Sequence, residues 1–514
     1  MRALRPSHQH TAYSATLLVT GAIALSRVIG YLREAYIAWA FGAGPRTDAF
    51  VAAFTLPDFI NYLLAGGTAS ITFISIYTRY HSSGREKEAQ HTFSIVISIM
   101  SALLAVFIAA AEWFTPEFTR WWFSGFDAAQ VQLCVTLTRI LLPAQLFFVI
   151  GGVTSAVLQS KRMFLLPALA PVIYNASIIL GGLLGSHRYG ISSLAFGALA
   201  GAFAGPFLIN AIGAGRTGIG FRPSFHFGHA GFREWIVLSV PLMLGVSLVA
   251  ADDWIMRYFA SGGAGDITRL NYAKRLIGVP IAVIGQASGQ AALPFFAKLF
   301  GEKHMAEFRT IVGRAIGRVA GASFLLTAWM MAAALPVIDL VYRRGRFSFT
   351  DSRETAALFF WFSVSLVFWA AQGLYARAFY AAGNTLTPML AGTMITMVSI
   401  PVYGALYHRW NVVGLAIASD IGIAAHTVVL AWLLHRKRLV PAGALPWKEL
   451  LKLLGTASLA GFTAYLASGV FVPDGSRVAD LASLGLVSAT WAAAASLGLW
   501  ATKVSWRSPD TGHE

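Results

Sequence analysis

Hydrophobic stretches of about 20 residues, the length that a helix needs to cross a bilayer, recur along this chain from Leu17 to Trp500. They lack the strict alternation of apolar and polar positions that marks a β-barrel. The pattern predicts an all-α polytopic membrane protein with about 14 transmembrane helices. These spans start near Leu17, Asp48, Thr92, Val131, Leu165, Ser192, Glu234, Asn271, Ile311, Arg353, Thr385, Val412, Leu450 and Ala482.

Two pairs of similar segments indicate an internal duplication. Segments 41–57 and 259–280 end in Pro57 and Pro280, and segments 156–177 and 377–398 each contain a helix-starting proline, Pro167 and Pro388. The spacings are 223 and 221 residues, so six spans separate the copies. The repeat predicts two pseudo-symmetric six-helix lobes related by an axis along the membrane normal. They comprise residues 16–215 and 216–440, with two extra helices in 441–502 and short tails at 1–15 and 503–514.

Charge adds an orientation. Only 12% of the 514 residues are charged, about half the share in soluble domains. If both termini are cytoplasmic, 23 of the 39 Lys and Arg residues lie in cytoplasmic segments, 11 in outer segments and five within spans. Cytoplasmic loops carry such an excess. The distribution of Lys and Arg therefore favours both termini inside. The net charge of +16 reflects basic cytoplasmic loops and does not indicate that the protein binds nucleic acid.

Charged residues inside predicted spans are the main candidates for chemistry. Arg27 and Arg33 lie in the first span, although a central arginine costs about 2.5–3.5 kcal/mol on insertion. They are separated by roughly 9 Å along a helix, which suits an extended anion with several oxygens. Arg275 opens the eighth span and joins them as a substrate-binding candidate. Alternatively, Glu34 neutralises Arg33, or Arg33 extends to the interface.

Other charged positions are candidates for gating or ion coupling. The gating candidates are Asp48, Arg257, Lys274 and the outer basic loop of Arg343, Arg344 and Arg346. Asp252 and Asp253 are candidates for binding a coupling cation. The alternatives are structural: an N-cap role for Asp48, an interfacial anchor for Lys274, and a solvated loop for the three arginines.

Several motifs are absent from the sequence. There is no G-x-x-x-x-G-K-[ST] loop, HExxH, CxxC or GxSxG, so we expect neither an enzyme nor an ATPase, and no cofactor or metal. The single cysteine excludes a disulfide within the chain. The two predicted six-helix lobes are the arrangement of parallel-repeat transporters. Transport by this chain would then depend on a monovalent ion gradient, on the membrane potential, which supplies about 2.3 kcal/mol per charge at 100 mV, or on consumption of the product.

Four stretches resemble the MurJ/MviN lipid II flippase family of the multidrug/oligosaccharidyl-lipid/polysaccharide exporter superfamily. They are SRVIGYLREAYIAWAFGAGPRTDAFVAAFTLP, NYAKRLIGVPIAVIGQASGQAALP, RRGRFSFTD and AFYAAGNTLTP. The resemblance implies a bacterial inner-membrane monomer with a V-shaped cavity between two lobes that opens alternately to each side. It further implies functional roles for Arg27, Arg33, Arg275 and Asp48. Spans 13 and 14 would form a groove for the polyprenyl tail.

The sequence departs from the family pattern at several positions. Asn61 and Tyr62 stand where a basic pair is usual, Gly66 where Glu is expected, Lys274 in place of a common Asp, and Gly278 in place of an acid. Lipid II is the expected substrate, but another lipid-linked oligosaccharide fits nearly as well. A cation-coupled drug exporter of the same superfamily is a further alternative, and the mainly basic residues of the N-terminal lobe disfavour it.

Overall fold

The computed structural model describes residues 12–64, 68–243, 248–470 and 476–503, and within these residues it contains helices and no strands. Ten helical stretches of the described chain are long and apolar enough to cross a membrane, with mean hydropathies of 1.3 to 2.6. The expected all-α polytopic class is therefore confirmed. The number of fourteen spans stays a prediction, as do the lobe boundaries and the orientation of the termini, whose outermost residues lie outside the described part.

The chain forms two compact units, residues 1–37 with 44–246, and residues 38–43 with 247–514. The first unit holds most of α1 and the helices that follow it. The bounds are α1 Ala12–Phe41, α2 Pro45–Ala52, α3 Thr55–Leu64, α4 Thr68–Ser82, α5 Glu86–Trp122, α6 Ala128–Leu141, α7 Ala144–Ser160, α8 Leu165–Tyr189, α9 Ser192–Ala202, α10 Asn210–Arg216 and α11 Ala230–Met243.

The second unit contains the remaining helices and the last residues of α1. The bounds are α12 Leu248–Ala260, α13 Asp266–Pro280, α14 Ala287–Gly301, α15 Met305–Ala332, α16 Ala334–Tyr342, α17 Phe349–Ala381, α18 Leu386–Arg436, α19 Trp447–Ser468 and α20 Arg477–Thr502. A single 3-10 turn, Ala442–Ala444, precedes α19.

Helix starts recur at the spacing of the sequence repeat. The starts of α2 and α13, of α6 and α17, and of α8 and α18 are each 221 residues apart. These pairs are Pro45 and Asp266, Ala128 and Phe349, and Leu165 and Leu386. This regular spacing agrees with a duplicated helix pattern. The compact units do not coincide with the expected lobes, because residues 38–43 belong to the second unit and residues 216–246 to the first. There α11 packs on α4, where Thr72 and Ser239 share a hydrogen bond of 2.6 Å.

The second predicted span is not one helix. Residues 48–82 form parts of three helices, α2, α3 and α4, with residues 65–67 outside the described chain. Pro57 falls in the first turn of α3, where its missing N–H leaves no helical hydrogen bond unmade. Apolar content alone therefore predicted membrane burial but not continuity of the helix.

Three further irregularities occur in the described helices, two of them beside prolines and one at a break within α18. A π-helical segment, Phe203–Ile209, joins α9 to α10 and contains Pro206, and another, Ile281–Gln286, follows Pro280 between α13 and α14. Proline lacks the N–H that would continue the α-helical ladder. The long α18 is interrupted at Trp410 and Asn411, and Asn411 has φ 49°. The predicted boundary between spans 11 and 12 coincides with this break.

Each unit has its own apolar core. In the first unit, side chains of α4, α5, α7 and α11 form a buried cluster that includes Phe73, Ile95 and Phe232. In the second, α14, α15, α17 and α18 contribute Phe308, Phe379 and Leu430. These packed helices hold the polar residues described next at fixed positions.

Candidate functional site

A cavity of about 280 Å³ in the second unit collects five of the expected site residues. Its lining includes, from α12 and α13, Asp252, Asp253, Arg257, Lys274 and Arg275. The two acids are adjacent on α12, and Lys274 and Arg275 are adjacent on α13. The structure thus brings substrate-binding, gating and ion-coupling candidates around one space.

Lys274 is the centre of an ionic network. Its Nζ lies 2.6 Å from Oδ2 of Asp252 and also contacts Oδ1 of Asp253. Asp252 is 5% exposed and accepts further hydrogen bonds from the hydroxyl of Tyr403 and, at 3.1 Å, from Oγ of Ser419. A buried carboxylate needs such partners. In this arrangement the ammonium charge of Lys274 is compensated by its two acids.

Two arginines add further positive charge to the cavity lining. Arg275 has an exposed side chain, and Arg257 is half-buried; both line the cavity. Guanidinium groups bind phosphate oxygens in pairs. The cavity wall can therefore present arginines to an anion while the Lys274 charge is held by Asp252 and Asp253.

Asp420 is a residue of this region that the sequence analysis missed. It lies on α18 beside Ser419, is 7% exposed, and its Oδ1 has no hydrogen-bond partner. A signal existed, because Asp420 is a lone acid within the apolar run VGLAIASDIGIAAHTVVL, and ionisable residues inside spans are functional candidates. Tyr403 carried no such signal, since it contacts Asp252 across 151 sequence positions.

The first unit contains the other substrate-binding candidates. Arg27 is exposed on α1. Arg33 is 15% exposed, pairs with Glu34 and donates from Nη1 to Oδ1 of Asn175 at 2.8 Å. These contacts attach α1 to α8 close to Gly30, whose absent Cβ would lie 3.8 Å from the amide of Asn175. The pairing of Arg33 with Glu34 is the structural alternative considered from the sequence, while Arg27 has the more accessible side chain.

Asp48 does not cap a helix. The N-cap of α2 is Gly44, whose backbone N–H is accepted by the hydroxyl of Thr47, and Pro45 occupies the first helical position. Asp48 is the fourth residue of α2 and is fully buried. The N-cap explanation for Asp48 is therefore wrong, because Pro45 moves the helix start three residues upstream.

Two of the three arginines of the basic loop after α16 pair with acids. Arg343 pairs with Asp339 at 3.1 Å, and Arg344 pairs with the buried Asp480 of α20, also at 3.1 Å. The side chain of Arg346 is exposed, and its backbone N–H donates to the carbonyl of Trp39 at 2.9 Å. The loop is a fixed element of the second unit and not a freely solvated segment.

Arg269 is a second residue whose role the sequence did not reveal. Its side chain is 12% exposed and pairs with Asp266 at 3.2 Å, Asp351 at 2.9 Å and Glu354 at 2.9 Å. This group ties the start of α13 to the start of α17. Because Asp351 is 82 positions away, a sequence pattern could not have identified the contact.

The departures from the family pattern have visible surroundings. The amide of Asn61 donates to Oε1 of Gln145 at 2.8 Å, which links α3 to α7 without charge. Gly278 lines the cavity, and a Cβ there would meet no atom within 4 Å, so an acid would fit. Gly66 lies outside the described residues. Among the described side chains, no group of three or more His, Cys, Asp or Glu could hold a metal ion.

Comparison with known proteins gives consistent relatives over nearly the whole chain. The family model described as lipid II flippase MurJ matches residues 37–482. A Burkholderia cenocepacia protein named lipid II flippase MurJ is 29% identical over 497 residues, which cover 93% of this chain and 94% of the relative. A Vibrio cholerae protein named probable lipid II flippase MurJ is 26% identical, with 82% of each chain covered.

Solved structures show the same fold. A lipid II flippase MurJ in an inward closed conformation matches with a TM-score of 0.77 and 21% identity, covering 94% of this chain and 99% of that one. An inward-facing MATE family multidrug transporter matches with a TM-score of 0.65 and 17% identity, covering 82% and 98%. The resemblance stated from the motifs is confirmed: the chain is a multi-pass membrane protein that belongs to the lipid II flippase MurJ family.

Proposed function

We propose that this protein moves lipid II, a polyprenyl-diphosphate-linked glycan, from the inner to the outer leaflet of the bacterial inner membrane by alternating access. The observation that carries the proposal is the cavity lined by Arg257 and Arg275 in a chain whose family match extends over residues 37–482. Such a protein is a transporter and catalyses no chemical reaction. We further propose that it acts as a monomer with both termini in the cytoplasm.

In this proposal the arginines bind the diphosphate. Each guanidinium offers several N–H donors to phosphate oxygens. Arg27 and Arg275 have exposed side chains, and we assign them the direct contacts. Arg33 is held by Glu34 and Asn175, and we assign it the positioning of α1.

An apolar groove in the second unit supports a separate path for the lipid tail. It has a volume of about 690 Å³ and lies among α15, α17 and α19, with a lining that includes Phe324, Ala328, Phe360, Ser458 and Phe462. A polyprenyl chain has no polar groups, so an apolar surface suits it. We propose that the tail stays in this groove while the headgroup passes through the polar cavity.

The groove predicts an effect of side-chain size on transport. Ser458→Trp adds a bulky side chain to the groove wall and should slow transport several-fold, because the tail would lose its space. The matched control is Leu459→Trp, since Leu459 is the next residue, is 58% exposed and does not line the groove. Equal transport by the two variants would argue against tail binding there.

The Asp252–Lys274 network supports coupling to an ion or to the membrane potential. Release of Lys274 from Asp252 and Asp253 would change the charge around the cavity. Asp252 and Asp253 are therefore our candidates for coupling. Lys274 is our candidate for the gate within the second unit, with Asp48 and the loop arginines as further gating candidates.

Complementation of a strain depleted of its own lipid II flippase tests the proposal. The unmutated chain and Arg353→Ala should restore growth, since Arg353 is exposed and lies outside the cavity lining. Arg27→Ala and Arg275→Ala should not restore growth, although immunoblots of membrane fractions should show normal insertion. Growth with Arg275→Ala would contradict the assigned phosphate contact.

Another lipid-linked oligosaccharide is the second candidate substrate. It is favoured by the neutral Asn61–Gln145 pair and by the space at Gly278, where the family pattern has charged residues. Failure of the well-expressed, unmutated chain to complement would indicate this substrate class instead of lipid II.

A further inference from the structure

A second, strongly basic pocket lies away from the cavity, where α15 begins and α18 ends. Its volume is about 510 Å³, and it is lined by Arg309, Trp432, His435, Arg436, Arg438 and Pro441. The lining contains three arginines and a histidine and no Asp or Glu. All six residues belong to the second unit, on the side that the Lys and Arg distribution predicts to be cytoplasmic.

Backbone contacts fix the geometry of this pocket. Arg309 donates from Nη2 to the carbonyl of Arg438 at 2.7 Å, and Arg438 has a left-handed φ of 55° at the turn after α18. The Nδ1 of His435 accepts the N–H of Ala442 at 3.1 Å. A neutral His435 ring therefore carries its proton on Nε2, as a further donor. These two contacts, from Arg309 and His435 to the backbone, fix the shape of the pocket.

The pocket contains donors and positive charge in excess. Arg309 Nε is buried without a hydrogen-bond partner. Arginine keeps its charge in proteins, so three arginines that line one pocket without an acid repel each other. A multivalent oxygen anion removes this repulsion and satisfies the donors, and phosphate matches the guanidinium geometry.

The neighbouring aromatic residue indicates where the anion comes from. Trp432 is 52% exposed, and the guanidinium of Arg436 lies 5.4 Å from the centre of its ring. Tryptophan near the end of a membrane helix lies at the level of lipid headgroups, and basic pockets between such helices bind anionic headgroups. A free anion in water would not require an exposed indole beside the charges.

We propose that this pocket binds the phosphate headgroup of an anionic phospholipid of the surrounding leaflet. The bound lipid would hold the start of α15 and the end of α18 together. This site is separate from the cavity assigned to the transported substrate, so it does not depend on the proposed transport activity.

Native mass spectrometry of the full-length protein in detergent, titrated with phosphatidylglycerol, tests the site. Each arginine near a phosphate contributes about fivefold in affinity, so Arg309→Gln with Arg438→Gln should weaken binding roughly 30-fold. Arg314→Gln is the matched control, because Arg314 is an exposed arginine on the same helix outside the pocket. If the double variant does not fold, Arg436→Gln, which leaves the contact between Arg309 and the 438 carbonyl intact, should weaken binding about fivefold.

Two comparisons separate the possible ligands. Phosphatidylcholine and inorganic phosphate should each fail to compete with phosphatidylglycerol at equal concentration. Equal binding of phosphatidylcholine would show that headgroup charge is irrelevant, and effective competition by inorganic phosphate would identify a soluble anion site. Either result, or unchanged binding by the arginine variants, would overturn the proposal.

Discussion

The contact between Asp252 and Lys274 allows a quantitative test of the ionic network. Removing one member of a buried ion pair usually costs 3–5 kcal/mol, because the other charge stays buried. In Asp252→Asn the single amide oxygen can still accept from one of the two hydroxyls, which bond to different oxygens of Asp252, and Lys274 keeps Asp253, which is 43% exposed. We therefore expect a loss at the lower end of that range, about 3 kcal/mol.

A double-mutant cycle isolates the pair from the other contacts. Lys274→Met alone leaves Asp252 buried without its cation and should also destabilise the protein. In the double variant Asp252→Asn with Lys274→Met neither charge of the pair is left. Its loss of unfolding free energy should therefore be about 2 kcal/mol smaller than the sum of the two single losses. The matched control is Asp253→Asn, which should cost less than about 1 kcal/mol since Asp253 is partly exposed.

Unfolding in mixed micelles with increasing dodecyl sulfate, followed by tryptophan fluorescence, measures these free energies. If Lys274 and Asp252 stabilise each other, the coupling energy should lie clearly above the error of the cycle. If the two single losses add to the double loss within about 0.5 kcal/mol, Lys274 and Asp252 do not stabilise each other. Asp252 would then not compensate the charge of Lys274.

Two further predictions concern His229, just before α11, and Gly414 within α18. Burial, with His91 and His226 nearby, holds the pKa of His229 below its usual 6.5 despite Glu88. Because the unfolded chain therefore binds the proton at a higher pH than the folded protein does, thermal stability should fall as the pH decreases below about 6.5. The substitution His229→Gln should reduce this fall in stability. In α18, a methyl group at Gly414 would overlap the carbonyl of Leu406, so Gly414→Ala should cost about 1–3 kcal/mol. Gly455→Ala, with open space at its Cβ, should cost nothing in the same thermal unfolding experiment.

The sequence was sufficient for the fold class because membrane insertion depends on local properties. Length and apolar content identify a span, and the 221-residue spacing of Pro167 and Pro388 anticipated three pairs of helix starts that lie 221 residues apart. Continuity of the helices was less accessible. The segment predicted as the second span is not continuous, because α2 ends at Ala52 and α3 begins at Thr55.

The candidate site could be predicted only where its contacts are local in sequence. Arg33 and Glu34 are neighbours, so their pairing was foreseeable. Asp252 receives Tyr403 from 151 positions away and Ser419 from 167, and no single-sequence pattern encodes these approaches. Asp420 is a different case, because a lone acid within an apolar run is visible in the sequence and already marks a candidate.

The central claim is that accessible arginines in this fold bind the diphosphate of a lipid-linked glycan during transport. The most direct test reconstitutes the purified protein in liposomes that contain lipid II and follows its appearance in the outer leaflet with an externally added, lipid II-consuming enzyme. Loss of one charge-assisted phosphate contact is worth about 1.5–3 kcal/mol, so Arg275→Ala should slow transport by about tenfold or more. Arg353→Ala should transport at the unmutated rate. An unmutated rate for Arg275→Ala, at equal protein incorporation, would contradict the account.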